Sequence, residues 1–219
     1  MSLLWRERLE LGVYPDRLVL ARAKGAQTAP VAPGEPQASR WRSALDALAG
    51  LEALSRADVT VVLSSFFVHY TLVPLSAALT SAAERLAFAR HCLARIHGPA
   101  AEAWAVRLSG EVACGVDGAL VEALRAALAV RANRLRSLQP RLMASFNRCR
   151  RKLGERPGWF VDVEPGLASV ALLQNEKWQS LRSVKVGPDW EAQLPALLAR
   201  EACFVDSPAD CPQVVHASP

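Results

Sequence analysis

Few side chains in this 219-residue sequence have a type and a place suited to chemistry. Asp162 stands out: it interrupts the apolar run Trp159–Val163, just ahead of the turn residues Glu164-Pro165-Gly166. A carboxylate at a strand end facing a cleft can hold a metal-bound phosphate; beside a turn it can equally accept hydrogen bonds from turn amides. The histidines are His69, His91, His97 and His216, and His91 and His97 lie six residues apart on a predicted helix. Their side chains therefore diverge, unlike an i, i+4 pair that shares a metal. Ser64-Ser65 follow a predicted strand, but no glycines flank them in the Gly-x-Ser-x-Gly elbow that exposes a nucleophilic serine. Cys92, Cys114, Cys149, Cys203 and Cys211 form no CxxC pair and are expected to be reduced, mostly buried thiols. The six tryptophans are scattered and expected to anchor core or interface. With no Walker loop, no GxGxxG and no zinc spacing, neither a cofactor nor a metal is expected.

The elements that must position Asp162 form a β-meander, PGWFVDVEPGLASVALLQNEKWQSLRSVKVG, from Pro157 to Gly187. Trp159–Val163 and Leu167–Leu173 are strand-prone, Asn175-Glu176-Lys177 makes the second turn, and from Trp178 the pattern alternates as in a half-exposed strand. Earlier, Arg8–Val13 and Arg17–Ala23 flank Tyr14-Pro15-Asp16 as a first hairpin. Gly25–Ser39, rich in proline, is expected to be a loop or linker, followed by a helix from Trp41 to Leu54 with Ser39 as cap. Asp58–Leu63 suits a buried strand, the segment ending at Pro74 is extended, and Leu79–Ile96 is a helix capped by Ser76 or Thr80. Strands at Ala103–Leu108 and Cys114–Val116, a helix at Leu120–Val130, an extended Leu135–Leu138 and a basic helix Arg141–Leu153 precede the meander. A helix Trp190–Arg200, a short strand Cys203–Val205 and a loose tail 207–219 follow it.

Composition bounds the class. About half the residues are apolar, no apolar run is long enough to span a membrane, and the charged start MSLLWRERLEL is unlike a signal peptide, so a cytoplasmic globular protein is expected. The net charge is +5, yet ten basic residues between Arg125 and Arg156 face Glu155 alone. Such a segment is either a solvated helix face or a surface for anionic lipid, an acidic partner or nucleic acid, centred on Arg141, Arg148, Arg150, Arg151 and Lys152. Nucleic acid ranks last among these because no base-reading motif is present.

The hairpins LELGVYPDRLVLAR and FVDVEPGLASVALL echo each other, each followed by a helix and a short strand, which argues for two similar α/β units with mixed sheets. Together with VTVVLSSFFVHYTLVPL, this pattern resembles the actin-like ATPase superfamily, above all PilM-type pilus assembly proteins and the cytoplasmic domain of the type II secretion L protein. The resemblance implies two ribonuclease-H-like units, over 1–139 (with loop 25–39) and 140–206, each opening with a phosphate-gripping hairpin. Asp162, Gly166 and Ser169 match the acidic, glycine and hydroxyl positions of the second hairpin; the first keeps Gly12 and Asp16 but replaces the hydroxyl residue with Tyr14-Pro15. The family's adenosine-binding, glycine-rich turn has no counterpart, so the second unit is expected to be reduced and the nucleotide site degenerate.

These expectations describe a non-catalytic scaffold peripheral to the inner membrane, held by a membrane-anchored assembly protein of a pilus or secretion-type machine. An anionic membrane surface and a homodimer are further candidate partners. The competing expectation is an Mg-ATP-binding ATPase completed by oligomerisation.

Overall fold

The first hairpin forms because RLELGV (β1, Arg8–Val13) and RLVLAR (β2, Arg17–Arg22) alternate, burying Leu9, Leu11, Val13, Leu18 and Leu20 while their arginines stay outside. The computed structural model describes residues 6–23, 25–32, 40–48, 50–51, 54, 56–74, 79–153, 157–205 and 213–217. Its contacts separate two units, Met1–Val68 with Ala103–Ala105 and Val116–Arg141, and His69–Glu102 with Val106–Gly115 and Leu142–Pro219.

In the first unit, β3 (Gly25–Pro30) pairs antiparallel with β2. The sequence reading made residues 25–39 a loop; residues 25–30 are instead an exposed edge strand, held by its ladder and not by burial. GAQTAP carries no apolar alternation to announce it, and Pro30 sits at the strand's end, where its missing N–H costs little. Residues 33–39, including the cap expected at Ser39, lie outside the described residues. Helix α1 (Arg40–Leu48) stops short of the expected Leu54, although Leu51 and Leu54 are buried in the turns after it. Strand β4 (Asp58–Leu63) runs parallel to β1.

Between β4 and the last strand of this sheet come β5 (His69–Leu72), α2 (Ala82–His97), a 3₁₀ turn (Gly98–Ala103), β6 (Trp104–Ser109), β7 (Val112–Asp117) and α3 (Gly118–Val130). Then β8 (Arg134–Pro140) pairs parallel with β4, completing the order β3-β2-β1-β4-β8. Helix α2 is capped by Ser81, not by Thr80 as expected: the Ser81 hydroxyl accepts from Glu84 N–H while the Glu84 carboxylate accepts from the amides of Ser81 and Thr80. Ser76 lies outside the described residues.

The second unit contains the sheet β5-β7-β6 and a second sheet built by α4 (Arg141–Leu153), β9 (Gly158–Glu164), β10 (Leu167–Gln174), β11 (Lys177–Lys185), α5 (Trp190–Ala202) and β12 (Gln213–Ala217), ordered β11-β10-β9-β12. By contacts, His69–Glu102 and Val106–Gly115 group with the C-terminal sheet. Strand β5 packs on β11, Tyr70 joins the cluster around Phe160, and the Glu111 carboxylate accepts from Trp178 N–H at 3.1 Å. Strand β9 is buried along its whole length because it is paired on both sides and covered on both faces. Trp159, Val161 and Val163 pack against α5, and Phe160 packs on Leu142 and Phe146 of α4.

Two expectations fail at the C-terminal end. Cys203–Val205, expected as a strand, continues α5 as hydrogen-bonded turns. The tail expected to be loose contains β12, which runs parallel to β9 with Val214 opposite Trp159 and His216 opposite Val161. QVVHA is short and sits among prolines, so its two valines escape notice until β9 is seen to need a neighbour.

Candidate functional site

The two hairpins place their candidate residues very differently. At the first, Gly12 is closed off: a Cβ there would lie 2.7 Å from the ring of Tyr14, which folds back over the glycine. Tyr14 is buried, its hydroxyl accepts a 2.8 Å hydrogen bond from Arg141 Nη1, and the guanidinium of Arg17 lies 4.9 Å from its ring centre. The turn spends one amide on itself and lacks another. Tyr14 N–H donates to Arg17 C=O at 3.0 Å, and Pro15 has no N–H to offer. Asp16 is exposed at the tip and paired with Arg17 at 2.9 Å.

The second hairpin buries polar side chains instead. Asp162 is 1% exposed and stands directly opposite Ser169, which in turn stands opposite Ser183. The hydroxyls of Ser169 and Ser183 share a hydrogen bond at 3.2 Å. A row of polar side chains thus crosses three strands in an otherwise apolar sheet, on the face that carries Phe160, Ala171 and Leu173. Gly166 closes the turn at φ +85°, a region that Cβ-bearing residues adopt only with strain. Sequence reading assigned Glu164 to the turn; it is the last residue of β9 and 2% exposed. Beyond the turn lies a cavity of about 460 Å³ whose walls include Val163, Pro165, Val186, Pro188 and Trp190.

The basic segment is not one surface. Arg141 is buried on Tyr14 and is removed from the surface set, while Arg131 donates to Leu51 C=O, Arg125 pairs with Glu122, and Arg136 lies 4.0 Å from Asp58. What stays exposed on α4 is Arg148, Arg150 and Arg151; the side chain of Lys152 lies outside the described residues. This basic face follows from the helix period, since Leu142, Phe146 and Cys149 take the opposite side into the core.

Other reactive groups do not gather. His97 meets His69 with ring centres 4.6 Å apart, a pairing across elements that sequence spacing could not disclose. Burial, and secondarily His97, lowers the pKa of His69 to about 4, and burial lowers that of His97. Ser64 is buried and accepts from Phe66 N–H at 3.2 Å. Cys92, Cys114 and Cys149 are free and half-buried and Cys203 is exposed, so the thiols are less buried than expected; Cys211 lies outside the described residues. Among the described residues, no three His, Cys, Asp or Glu side chains converge as a metal site would require, and no helix is long and apolar enough to cross a membrane.

No protein-family model and no curated protein matches the sequence. Solved structures do match. A Bacteroides thetaiotaomicron protein with an actin-like ATPase fold and unknown function superposes with a TM-score of 0.62 at 10% identity, covering 97% of this chain and 91% of that one. The cytoplasmic domain of EpsL, an inner membrane component of the type II secretion system of Vibrio cholerae, gives 0.57 at 15% identity, covering 97% and 81%. The PilM–PilN type IV pilus biogenesis complex gives 0.54 at 20% identity, covering 90% and 68%. The chain therefore has the actin-like fold, with two ribonuclease-H-like units and mixed sheets.

Proposed function

We propose that this chain is a non-catalytic scaffold of an inner-membrane pilus or secretion-type assembly, working on the cytoplasmic side with a membrane-anchored partner. The observation that carries the reading is the first hairpin, where the Tyr14 ring occupies the space over Gly12 and Arg141 fastens it there. A phosphate-binding turn needs open backbone N–H groups and room for close approach, and this turn offers neither at Tyr14-Pro15. Supporting the assembly context are the similar folds of the EpsL cytoplasmic domain and of PilM in its complex with PilN. Calorimetry with Mg-ATP tests the reading: no binding is expected.

The second reading, an Mg-ATP-binding ATPase completed by oligomerisation, is favoured by the buried Asp162 facing Ser169 beside the Gly166 turn. Heat of binding that vanishes in Asp162→Ala would replace the first reading with this one. A nucleic-acid-binding role loses ground because Arg131 and Arg141 are spent on internal contacts.

A further inference from the structure

The two large sheets begin alike and end differently. In each, three antiparallel strands are followed by a helix and a strand that returns parallel to the first of the three. The first sheet then adds β8 beside β4, fed by α3, which packs on α1. In the second sheet β12 is the edge among the described residues.

Among the described residues nothing protects that edge. QVVHA carries no lysine, proline or acidic residue, the usual devices that keep a sheet edge from pairing. Val214 is 40% exposed although it stands opposite the buried Trp159. Beside it lies a cavity of about 470 Å³ lined by Trp159, Leu194, Leu198, Ala202, Val214 and His216, on the α5 face of the sheet. On the other face, Val215 and Ala217 pack on the cluster that α4 covers. The outer side of α4 exposes Arg148, Arg150 and Arg151, and RLMASFNRCRRKL contains no acidic residue.

We propose that the β12 edge binds an extended, acidic segment of a partner protein, which adds as a fifth strand parallel to β12 as β8 does beside β4. Backbone hydrogen bonds supply the ladder, and alternate apolar side chains of the segment enter the cavity beside Val214. Carboxylates on its other residues or flanks meet the basic face of α4. This deepens the scaffold reading and rests on it for the partner being a protein.

The test is selection of linear phage-displayed peptides on the full chain, followed by hydrogen exchange of the complex. Expected are peptides alternating apolar residues with Asp or Glu that slow exchange at Gln213–Ala217 and weaken as salt is raised. Val214→Asp should reduce their affinity about tenfold or more, with exchange in α2 unchanged as the control for folding. If that variant does not fold, the double variant Arg150→Glu, Arg151→Glu must show the same loss. Failure to select any peptide, or peptides that protect other segments, would overturn the proposal. So would slowing of exchange at Gln213–Ala217 with protein concentration alone, which would give the edge to a second copy. A positive Mg-ATP result would strike the scaffold reading without touching these outcomes, and their failure would leave the Tyr14 argument intact.

Discussion

The first and second hairpins share a plan and spend it on opposite chemistry. At the first, an aromatic ring lies over the glycine and a buried arginine holds its hydroxyl; at the second, a carboxylate and two serines line up across three strands. Both are legitimate ways to finish a sheet end. The first fills space with dispersion contacts and one charge-assisted hydrogen bond, and the second keeps polar groups buried at the cost of desolvating them. The difference teaches that two hairpins of one topology can bury their ends with unrelated chemistry.

The largest effect should come from the core beneath the second hairpin. Phe160→Ala empties a fully buried site between Leu142 and Phe146 and should cost about 3–5 kcal/mol in denaturant unfolding. Leu11→Ala in the first sheet should cost about 2–5 kcal/mol, and a far smaller loss at Phe160 would mean that the second sheet is loosely packed. Next, Tyr14→Phe keeps the ring over Gly12 but removes the hydroxyl that accepts from Arg141 Nη1, at an expected cost of about 1–3 kcal/mol. Ser169→Ala at the other hairpin should cost about 0.5–1.5 kcal/mol, since its hydroxyl partner is another neutral side chain. Equal costs at the two sites would erase the contrast between the hairpins.

A more gradual effect is pH-dependent and belongs to neither hairpin. His69 has its pKa lowered from 6.5 to about 4 by burial and by His97, so between those values the unfolded chain binds more protons than the folded one. Stability is therefore fully present above about 6.5 and declines as pH falls towards about 4. His69→Gln should flatten that decline in urea midpoints measured across the window. An unchanged slope would show that His69 is not its origin.

How far the sequence carried depended on the kind of signal. Strong patterns fixed β1, β2, α4 and the meander almost to the residue, because alternation and helical spacing report burial directly. Strands β3 and β12 escaped because their order comes from a neighbour's open edge; GAQTAP has no apolar pattern, and QVVHA is too short to show one. At the candidate site, Asp162 was legible as an acid in an apolar run and Gly166 as a turn residue, whereas Ser169 came only from the resemblance; the register of the hairpin sets it opposite Asp162. The Tyr14–Arg141 bond was not legible, since its partners are far apart in the chain and Arg141 sits in a run of arginines that looks uniform until one is found buried. The same limit hid the meeting of His69 with His97.

Strand β9 has two neighbours of very different origin: β10 follows it across a tight turn, while β12 arrives only after β10, β11 and α5 have been laid down. Closing that longer loop costs more chain entropy than closing a hairpin, so during folding the three-stranded meander should assemble early and β12 dock late. The strand that completes the burial of β9 is then also the last of its sheet to dock. Local opening at this margin can expose Trp159 and Phe160 while the meander and its two helices stay in place.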